Sequence, residues 1–166
     1  MLTDEFLQEL IICPKIVLKA DRRNMVLSNR HSKNNIYLAS TDNRYKFKMF
    51  MRKSCEFIED FSIGLVWTNA NEFVNISKNI ILLRCQGPHD GKKPLSVDIH
   101  HSYHTHEITV DDIQNKRYSN PSNRNQTTEF SSFEQAVLYF IVKCGINNIS
   151  EFIDVPPPYS QTEILY

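Results

Sequence analysis

Residues 44–52 read Arg-Tyr-Lys-Phe-Lys-Met-Phe-Met-Arg, the clearest alternation of polar and apolar side chains in the chain. Apolar side chains occupy every second position: Tyr45, Phe47, Met49 and Met51. Successive side chains on a strand point to opposite faces, so this period of two predicts a half-buried antiparallel strand. The turn signal Asp42-Asn43 before it predicts a hairpin with a strand over residues 34–40.

Patterns on either side of this hairpin predict the rest of the fold. The continuous apolar run over residues 80–83 predicts a strand covered on both faces, and a histidine-rich stretch over residues 95–108 predicts another. Apolar stripes with helical spacing predict a helix over residues 4–12, after Thr3, and a last helix from Phe133 onward. The sum is an α+β domain: a single antiparallel sheet flanked by an N-terminal and a C-terminal helix.

The segment before the last helix is predicted to be a loop followed by a cap. Residues 115–128 are rich in Asn, Ser, Pro and Arg, which predicts an exposed loop. Ser131-Ser-Phe-Glu134 has the spacing of a capping box, in which the serine hydroxyl accepts an early backbone N–H and the glutamate reaches back. We predict one domain over residues 1–155 and a proline-led tail over residues 156–166.

The composition limits the classes of protein. The chain has 166 residues with 19 Lys+Arg against 19 Asp+Glu, which gives zero net charge. That balance argues against a protein that holds nucleic acid or a membrane by charge alone. The N-terminus lacks a basic segment followed by a long apolar one, and no run approaches the roughly 18 apolar residues that span a bilayer. We expect a cytoplasmic protein with no membrane contact.

Histidines are strongly clustered, since five of the six fall between His89 and His106. Parity along the predicted strand places His100, His104 and His106 on one face together with Asp98. The opposite, apolar face takes the odd positions: Val97, Ile99, His101, Tyr103 and Thr105. Neighbouring side chains on one face of a strand lie about 7 Å apart. Two imidazoles at that spacing can act on one phosphate or share one metal ion.

Three interpretations fit the histidine face. One neutral His can take the proton of a ribose 2′-OH while a second, cationic His protonates the leaving oxygen, which is metal-independent RNA cleavage. For this chemistry the catalytic candidates are His104 and His106, with His100 or His89 as the third imidazole. Alternatively, His104 and His106 bind zinc together with Asp98 or His89. The third interpretation is a polar strand face without a chemical role.

Cationic side chains supply the second candidate feature. Lys46, Lys48 and Arg52 share the polar face of the alternating strand and can follow a phosphate backbone. Lysine is also common on protected edge strands and solvated faces. Arg84 is either a phosphate contact or a buried structural arginine, and Tyr103 is a candidate substrate contact.

The order of motifs along the chain supports a family resemblance. In chain order the motifs are Cys13-Pro-Lys15, Gly64-Leu-Val-Trp67, Leu82-Leu-Arg84, Gly87-Pro-His89, His100-His-Ser-Tyr-His-Thr-His106, Phe130-Ser-Ser-Phe-Glu-Gln-Ala-Val-Leu-Tyr-Phe140 and Cys144-Gly-Ile146. Over most of residues 3–147 this series resembles a family of small bacterial proteins classed as a domain of unknown function, with Leu-Leu-Arg, Gly-Pro-His and His-x-His motifs. That resemblance implies no particular activity.

A shorter resemblance points to an activity. Leu83-Arg84, Pro88-His89 and His104-Thr-His106 are similar to motifs of TumE-type toxin ribonucleases from bacterial toxin–antitoxin pairs. With the acid–base argument, this predicts a protein that binds RNA or cleaves it without a metal, in a toxin–antitoxin or phage-defence system. The alternative is a non-enzymatic interaction module, antitoxin-like, defence-associated or phage-encoded, whose histidine strand contacts a protein partner such as a toxin or antitoxin. No cofactor is expected, zinc at His104 and His106 being the minor alternative.

Overall fold

The computed structural model describes residues 1–89 and 101–157, which form one nine-stranded sheet and three α-helices. The helices are α1 (Asp4–Ile12), α2 (Val110–Gln114) and α3 (Phe133–Lys143). The strands are β1 (Lys15–Ala20), β2 (Val26–Ser28), β3 (His31–Ser40), β4 (Lys46–Ser54), β5 (Phe61–Trp67), β6 (Ile80–Gln86), β7 (His104–Glu107), β8 (Asn123–Gln126) and β9 (Ile146–Asn147). No helix in this part of the chain is long and apolar enough to cross a membrane.

The mixed α and β composition is confirmed, but the sheet is larger and less regular than predicted. The strand order is β8-β7-β6-β5-β4-β3-β1-β9, and β2 pairs with β3. The pair β1–β9 is parallel, whereas the other pairs are antiparallel. The prediction of flanking helices is wrong in detail, because α1 and α3 both lie against β6 and α2 is a third helix.

The β3–β4 hairpin follows the pattern in the sequence. Side chains alternate between buried and less buried positions from Lys46 to Arg52. At the turn, Asn43 adopts a left-handed φ of 62°, and the Asp42 carboxylate accepts hydrogen bonds from the Ser40 hydroxyl and the Arg44 backbone N–H. This short-range chemistry fixes the register, and the register places the apolar positions on one face.

One face of the sheet forms the core with the two long helices. The strands contribute fully buried side chains, among them Ile36, Leu38, Phe47, Met49, Ile63, Leu65, Trp67 and Leu83. The helices contribute their apolar stripes: Leu7, Leu10 and Ile11 from α1, and Ala136, Val137 and Phe140 from α3. The opposite face carries the candidate site residues Arg84, His104 and His106.

Three local predictions need correction. The segment over residues 115–128 is not only a loop, since it contains the edge strand β8, whose four residues are all exposed. The cap of α3 lies one residue later than predicted: the Ser132 hydroxyl accepts from the Gln135 N–H, and the Gln135 side chain accepts from Ser131. The side chain of Glu134 reaches Lys53 instead, at 3.4 Å.

A buried lysine joins the ends of α1 and α3. Lys15 is fully buried, and its ammonium donates to the carbonyls of Ile11 (2.7 Å), Cys13 (2.9 Å) and Cys144 (2.9 Å). Those carbonyls lie at the C-terminal ends of the two helices, where a cation also interacts favourably with the helix dipoles. Burial lowers the pKa of Lys15. Its ammonium nevertheless satisfies three acceptors that the helices leave open.

Replacing Lys15 by Met is expected to lower the free energy of unfolding by about 2–4 kcal/mol, because the three carbonyls would remain in the interior without their donor. Urea unfolding measures this change. The control is Lys33→Met, at an exposed position of β3, which should change stability by less than about 0.5 kcal/mol. Equal losses in the two variants would contradict the role of Lys15.

Candidate functional site

The register between β6 and β7 assembles the candidate site. It pairs Arg84 with His106 and Gln86 with His104, and the β7–β8 pairing adds Arg124 beside His106. Directly paired residues of neighbouring strands point to the same face. These side chains therefore share the sheet face opposite the helices, and we call His104, His106, Arg84 and Arg124 the His–Arg cluster.

Three of the predicted histidines converge. The ring centroids of His104 and His106 are 5.0 Å apart, and the ring of His89, just after β6, lies 5.3 Å from that of His104. His104 is 0% exposed and His106 is 3% exposed. The sequence pattern predicted their common face, whereas their burial depends on neighbours that a strand pattern does not encode. The predicted candidates His100 and Asp98 lie outside the described residues.

Backbone carbonyls orient both rings of β7. Nδ1 of His104 lies 2.7 Å from the Ser102 carbonyl oxygen, and Nδ1 of His106 lies 3.1 Å from that of Pro121. A carbonyl oxygen only accepts hydrogen bonds, so Nδ1 carries the proton in each ring. In a neutral ring the lone pair is then on Nε2. This arrangement fixes both the tautomer and the direction of the imidazole.

The surroundings of His106 favour its neutral form. Burial lowers its pKa most, and electrostatic interactions with His104, Arg124 and Arg84 lower it further, from 6.5 to about 4. The hydrogen bond to Pro121 acts in the opposite direction but is outweighed. At neutral pH the ring is consequently an uncharged imidazole between two guanidinium groups, a combination suited to accepting a proton beside a bound anion.

Arg84 has the surroundings of an anion-binding arginine. Its Nη2 donates to the Ser119 carbonyl at 3.2 Å, and its guanidinium lies 5.8 Å from the centroid of the Phe50 ring. Among the described residues, its buried Nε has no hydrogen-bond partner and no carboxylate lies within ion-pair distance. Burial lowers the pKa of the guanidinium. A half-buried guanidinium without a carboxylate partner among these residues has hydrogen-bond donors that can contact an anion.

Gly64 makes room for the aromatic support of Arg84. It pairs with Phe50 on one side and Arg84 on the other. A Cβ atom at this position would lie 2.2 Å from two atoms of the Phe50 ring. Although a glycine inside a strand often marks a β-bulge, the shift in register falls between Leu65 and Val66. The glycine instead lets the Phe50 ring extend across β5.

The cations of β4 share the face of the His–Arg cluster but lie farther away. Lys46 and Lys48 are separated from β7 by two intervening strands, which corresponds to about 14 Å at the usual strand spacing. Arg52 pairs with Ser62, and Ser62 pairs with Gln86. Gln86 in turn pairs with His104, so these four residues lie in one row across the sheet. The Nη2 of Arg52 donates to Nε2 of His31 at 2.8 Å. The Lys46 ammonium contacts the Asn43 side chain.

Tyr103 does not join the histidines. As an odd-numbered residue next to β7 it lies on the helix side of the sheet, where its ring packs at 6.2 Å from Phe61 and 6.1 Å from Phe130. The structure therefore gives no contact between this candidate substrate residue and the His–Arg cluster. The parity of the strand, applied to Tyr103 itself, already indicated the apolar side.

Sequence reasoning missed Arg124 and Gln86. Arg124 lies in the segment predicted as a loop, and β8 carries only polar residues, so no hydrophobic period reveals the strand. Gln86 ends β6 next to the predicted turn and becomes recognisable only through its pairing with His104. The one signal available for Arg124 is that it is the single charged residue within residues 118–128.

The electrostatics distinguish between the metal and phosphate interpretations. In the described part of the chain, no group of three or more His, Cys, Asp or Glu residues is arranged to hold a metal ion. Two guanidinium groups beside His106 also repel a divalent cation, whereas they attract a phosphate. These two positive charges suit the His–Arg cluster to an anion better than to a divalent cation.

Comparison with protein-family models, curated proteins and solved structures finds no match for this chain. The two family resemblances drawn from its motifs therefore stay predictions. The structure does show that two of those motifs meet, since Lys15 binds the carbonyls of Cys13 and Cys144. Function has to be inferred from the chemistry of the site itself.

The depressed pKa of His106 predicts an acid-sensitive fold. Between pH 6.5 and about 4 the unfolded chain binds a proton at His106 that the folded protein does not bind. The free energy of unfolding should therefore fall as the pH falls through this window, by about 3 kcal/mol from this group. Urea unfolding from about pH 7 to about pH 4 measures the effect.

The His106→Gln variant should lack this part of the pH dependence. His31→Gln, on β3, is the matched histidine control and should keep it because His106 is intact. The same pH dependence in the wild type and in His106→Gln would show that His106 does not carry the effect.

Proposed function

We propose that this protein binds the phosphodiester backbone of RNA at the His–Arg cluster and cleaves it by acid–base chemistry without a metal. The observation that carries the proposal is the placement of a neutral, Nδ1-protonated His106 between Arg84 and Arg124. The two guanidinium groups supply the charge that attracts a phosphate, and the imidazole supplies the proton acceptor.

The approach of the substrate follows from the exposure of the cluster. Arg124 is exposed on the edge strand β8, and Arg84 is half-buried, whereas His106 lies beneath them with 3% of its surface accessible. A phosphate therefore meets Arg124 first and then Arg84. The bound anion lies next to Nε2 of His106 once it has replaced solvent between the two guanidinium groups.

The chemistry needs a ribose. His106 Nε2 takes the proton of the 2′-OH, the 2′ oxygen bonds to phosphorus, and the bond from phosphorus to the 5′ oxygen breaks. A second imidazole, His104 or His89, gives its proton to that leaving oxygen, so the products are a 2′,3′-cyclic phosphate and a 5′-OH. DNA lacks the 2′-OH and should bind without being cleaved.

The bound phosphate also raises the pKa of His106. A pKa of about 4 is too low for efficient proton transfer at neutral pH. A phosphodiester between Arg84 and Arg124 offsets their positive charge and stabilises the imidazolium, which raises the pKa of His106 towards the working range. Substrate binding thus prepares the base, while the empty site keeps it neutral.

The cations of β4 suit an RNA with several phosphates better than a single phosphate. Lys46 and Lys48 lie on the same sheet face as the His–Arg cluster but, across two intervening strands, too far away to contact the same bound phosphate. They are suited to bind neighbouring phosphates of the same RNA molecule. A toxin or phage-defence ribonuclease of this kind would be restrained in its cell by a protein that covers the cluster.

A non-enzymatic interaction module is the second candidate, and one observation favours it. β8 forms the end of the sheet and its four residues are all exposed. An exposed edge strand can pair with a strand from another protein. In that case the chain would bind its partner by β8 and show no RNA cleavage.

Purified wild-type protein treated with a chelator is expected to cleave single-stranded RNA, and His106→Gln and Arg84→Gln should each reduce the rate by about 100-fold or more. Gel analysis of a labelled oligonucleotide measures the rate, and the cyclic phosphate identifies the mechanism. Lys78→Gln, a charge-matched exposed variant, should keep wild-type activity. Cleavage that is unchanged in both cluster variants would contradict the assignment, and absence of cleavage by the wild type would favour the interaction module.

Gly64→Ala should weaken phosphate binding without removing any charged group. The new methyl group would displace the Phe50 ring that supports Arg84, at a cost of about 1–3 kcal/mol in stability from overpacking. Calorimetry with inorganic phosphate measures the affinity. Adding Phe50→Leu should recover the stability but not the affinity, because the aromatic support stays absent. Full affinity in Gly64→Ala would show that Phe50 does not position Arg84.

A further inference from the structure

We infer that the polar cavity beside His104 is a nucleobase subsite that selects guanine, an inference that rests on the proposed function because it adds base recognition to the same RNA site. The cavity has a volume of about 250 Å³, and its described lining residues are Arg52, Asp60, Phe61, Ser62, Gln86 and His89. This volume is slightly below that of the roughly 300–1,000 Å³ pockets that hold drug-sized ligands. It suits a ligand of the size of one base.

The cavity lies next to the His–Arg cluster, because its lining residues His89 and Gln86 both neighbour His104. His89 lines it, and the ring of His89 lies 5.3 Å from that of His104. Gln86 lines it as well and follows Arg84 on the same face of β6, about 7 Å along the strand. That separation is comparable with the distance between a nucleobase and its own phosphate. A nucleotide held by Arg84 can therefore place its base among these residues.

The lining side chains offer hydrogen-bonding groups that the protein does not itself use. Within the described ranges, the Asp60 carboxylate, the Ser62 hydroxyl and the Gln86 amide make no hydrogen bond or ion pair. Arg52 lines the same cavity and forms no ion pair with Asp60 there. A pocket in which the Asp60 carboxylate and the Arg52 guanidinium face the same space without pairing suits a ligand that has both hydrogen-bond donors and acceptors.

Guanine presents the complementary groups. Its Watson–Crick edge carries two adjacent donors, N1–H and the N2 amino group, which a carboxylate can accept with both oxygens. Its O6 and N7 atoms are acceptors that a guanidinium can contact. Adenine and cytosine each combine one amino donor with a ring acceptor at this edge, and uracil has a single donor between two acceptors. Asp60 and Arg52 together therefore favour guanine.

An exposed aromatic side chain stands at the border of the subsite. Phe57 is 69% exposed and lines an adjoining cavity of about 270 Å³ together with Asp60, His89 and His101. Exposed aromatic rings next to a charged nucleic-acid groove commonly stack on bases without sequence preference. Phe57 is thus placed to stack on the neighbouring base. Asp60, which lines both cavities, binds the guanine in the subsite.

Calorimetry with the four nucleoside 3′-monophosphates tests the inference on the full chain. The wild type should bind guanosine 3′-monophosphate about tenfold more tightly than each of the other three, as one well-placed pair of hydrogen bonds allows. Asp60→Asn should reduce that preference to about twofold or less, because an amide cannot accept both donors. Glu56→Gln, an exposed acid of the same loop, should keep it. Equal affinities for the four nucleotides, or an unchanged preference in Asp60→Asn, would overturn the inference.

Two further binding measurements distinguish a failure of this inference from a failure of the proposed function. If the four nucleotides bind equally and Arg84→Gln abolishes all binding, the phosphate site stands and the guanine subsite is overturned. If free guanosine binds as tightly as its 3′-monophosphate and depends on Asp60, the base subsite stands and the phosphate site fails.

Discussion

A slip of one residue between β6 and β7 would turn His104 and His106 towards the core and Tyr103 and Thr105 towards the opposite face. The observed register is held from both sides. Tyr103 packs between the rings of Phe61 and Phe130 on the helix side. On the other side, the rings of His104 and His106 are anchored to backbone carbonyls. The position of every member of the His–Arg cluster depends on this pairing.

The two faces of the sheet consequently have different roles. One face is buried by α1 and α3, whose ends are joined by the ammonium of Lys15. The other face carries cations whose charge the described part of the protein leaves largely uncompensated at Arg84 and Arg124. Zero net charge over the whole chain conceals this local excess, because acidic residues elsewhere balance the sum. Local charge, not the total, makes the face attractive to a phosphate.

The sequence predicted the features that have a short period or a local signal. The β3–β4 hairpin, the helices after Thr3 and Ser132, and the common face of His104 and His106 all follow from such patterns. The edge strand β8 could not be predicted because it is polar on both faces, and Arg124 was missed with it. The burial of the histidines and of Lys15 depends on packing and on remote partners such as the Pro121 and Cys144 carbonyls, which no single stretch of sequence records.

The central claim is that the His–Arg cluster is a phosphate site, and the pKa of His106 tests it most directly. NMR titration of the His106 ring should give a value of about 4 in phosphate-free buffer. With saturating inorganic phosphate the value should rise by at least about one unit, because a bound anion stabilises the imidazolium. In Arg84→Gln the addition of phosphate should no longer change it. The same pKa with and without phosphate in the wild type would contradict the account.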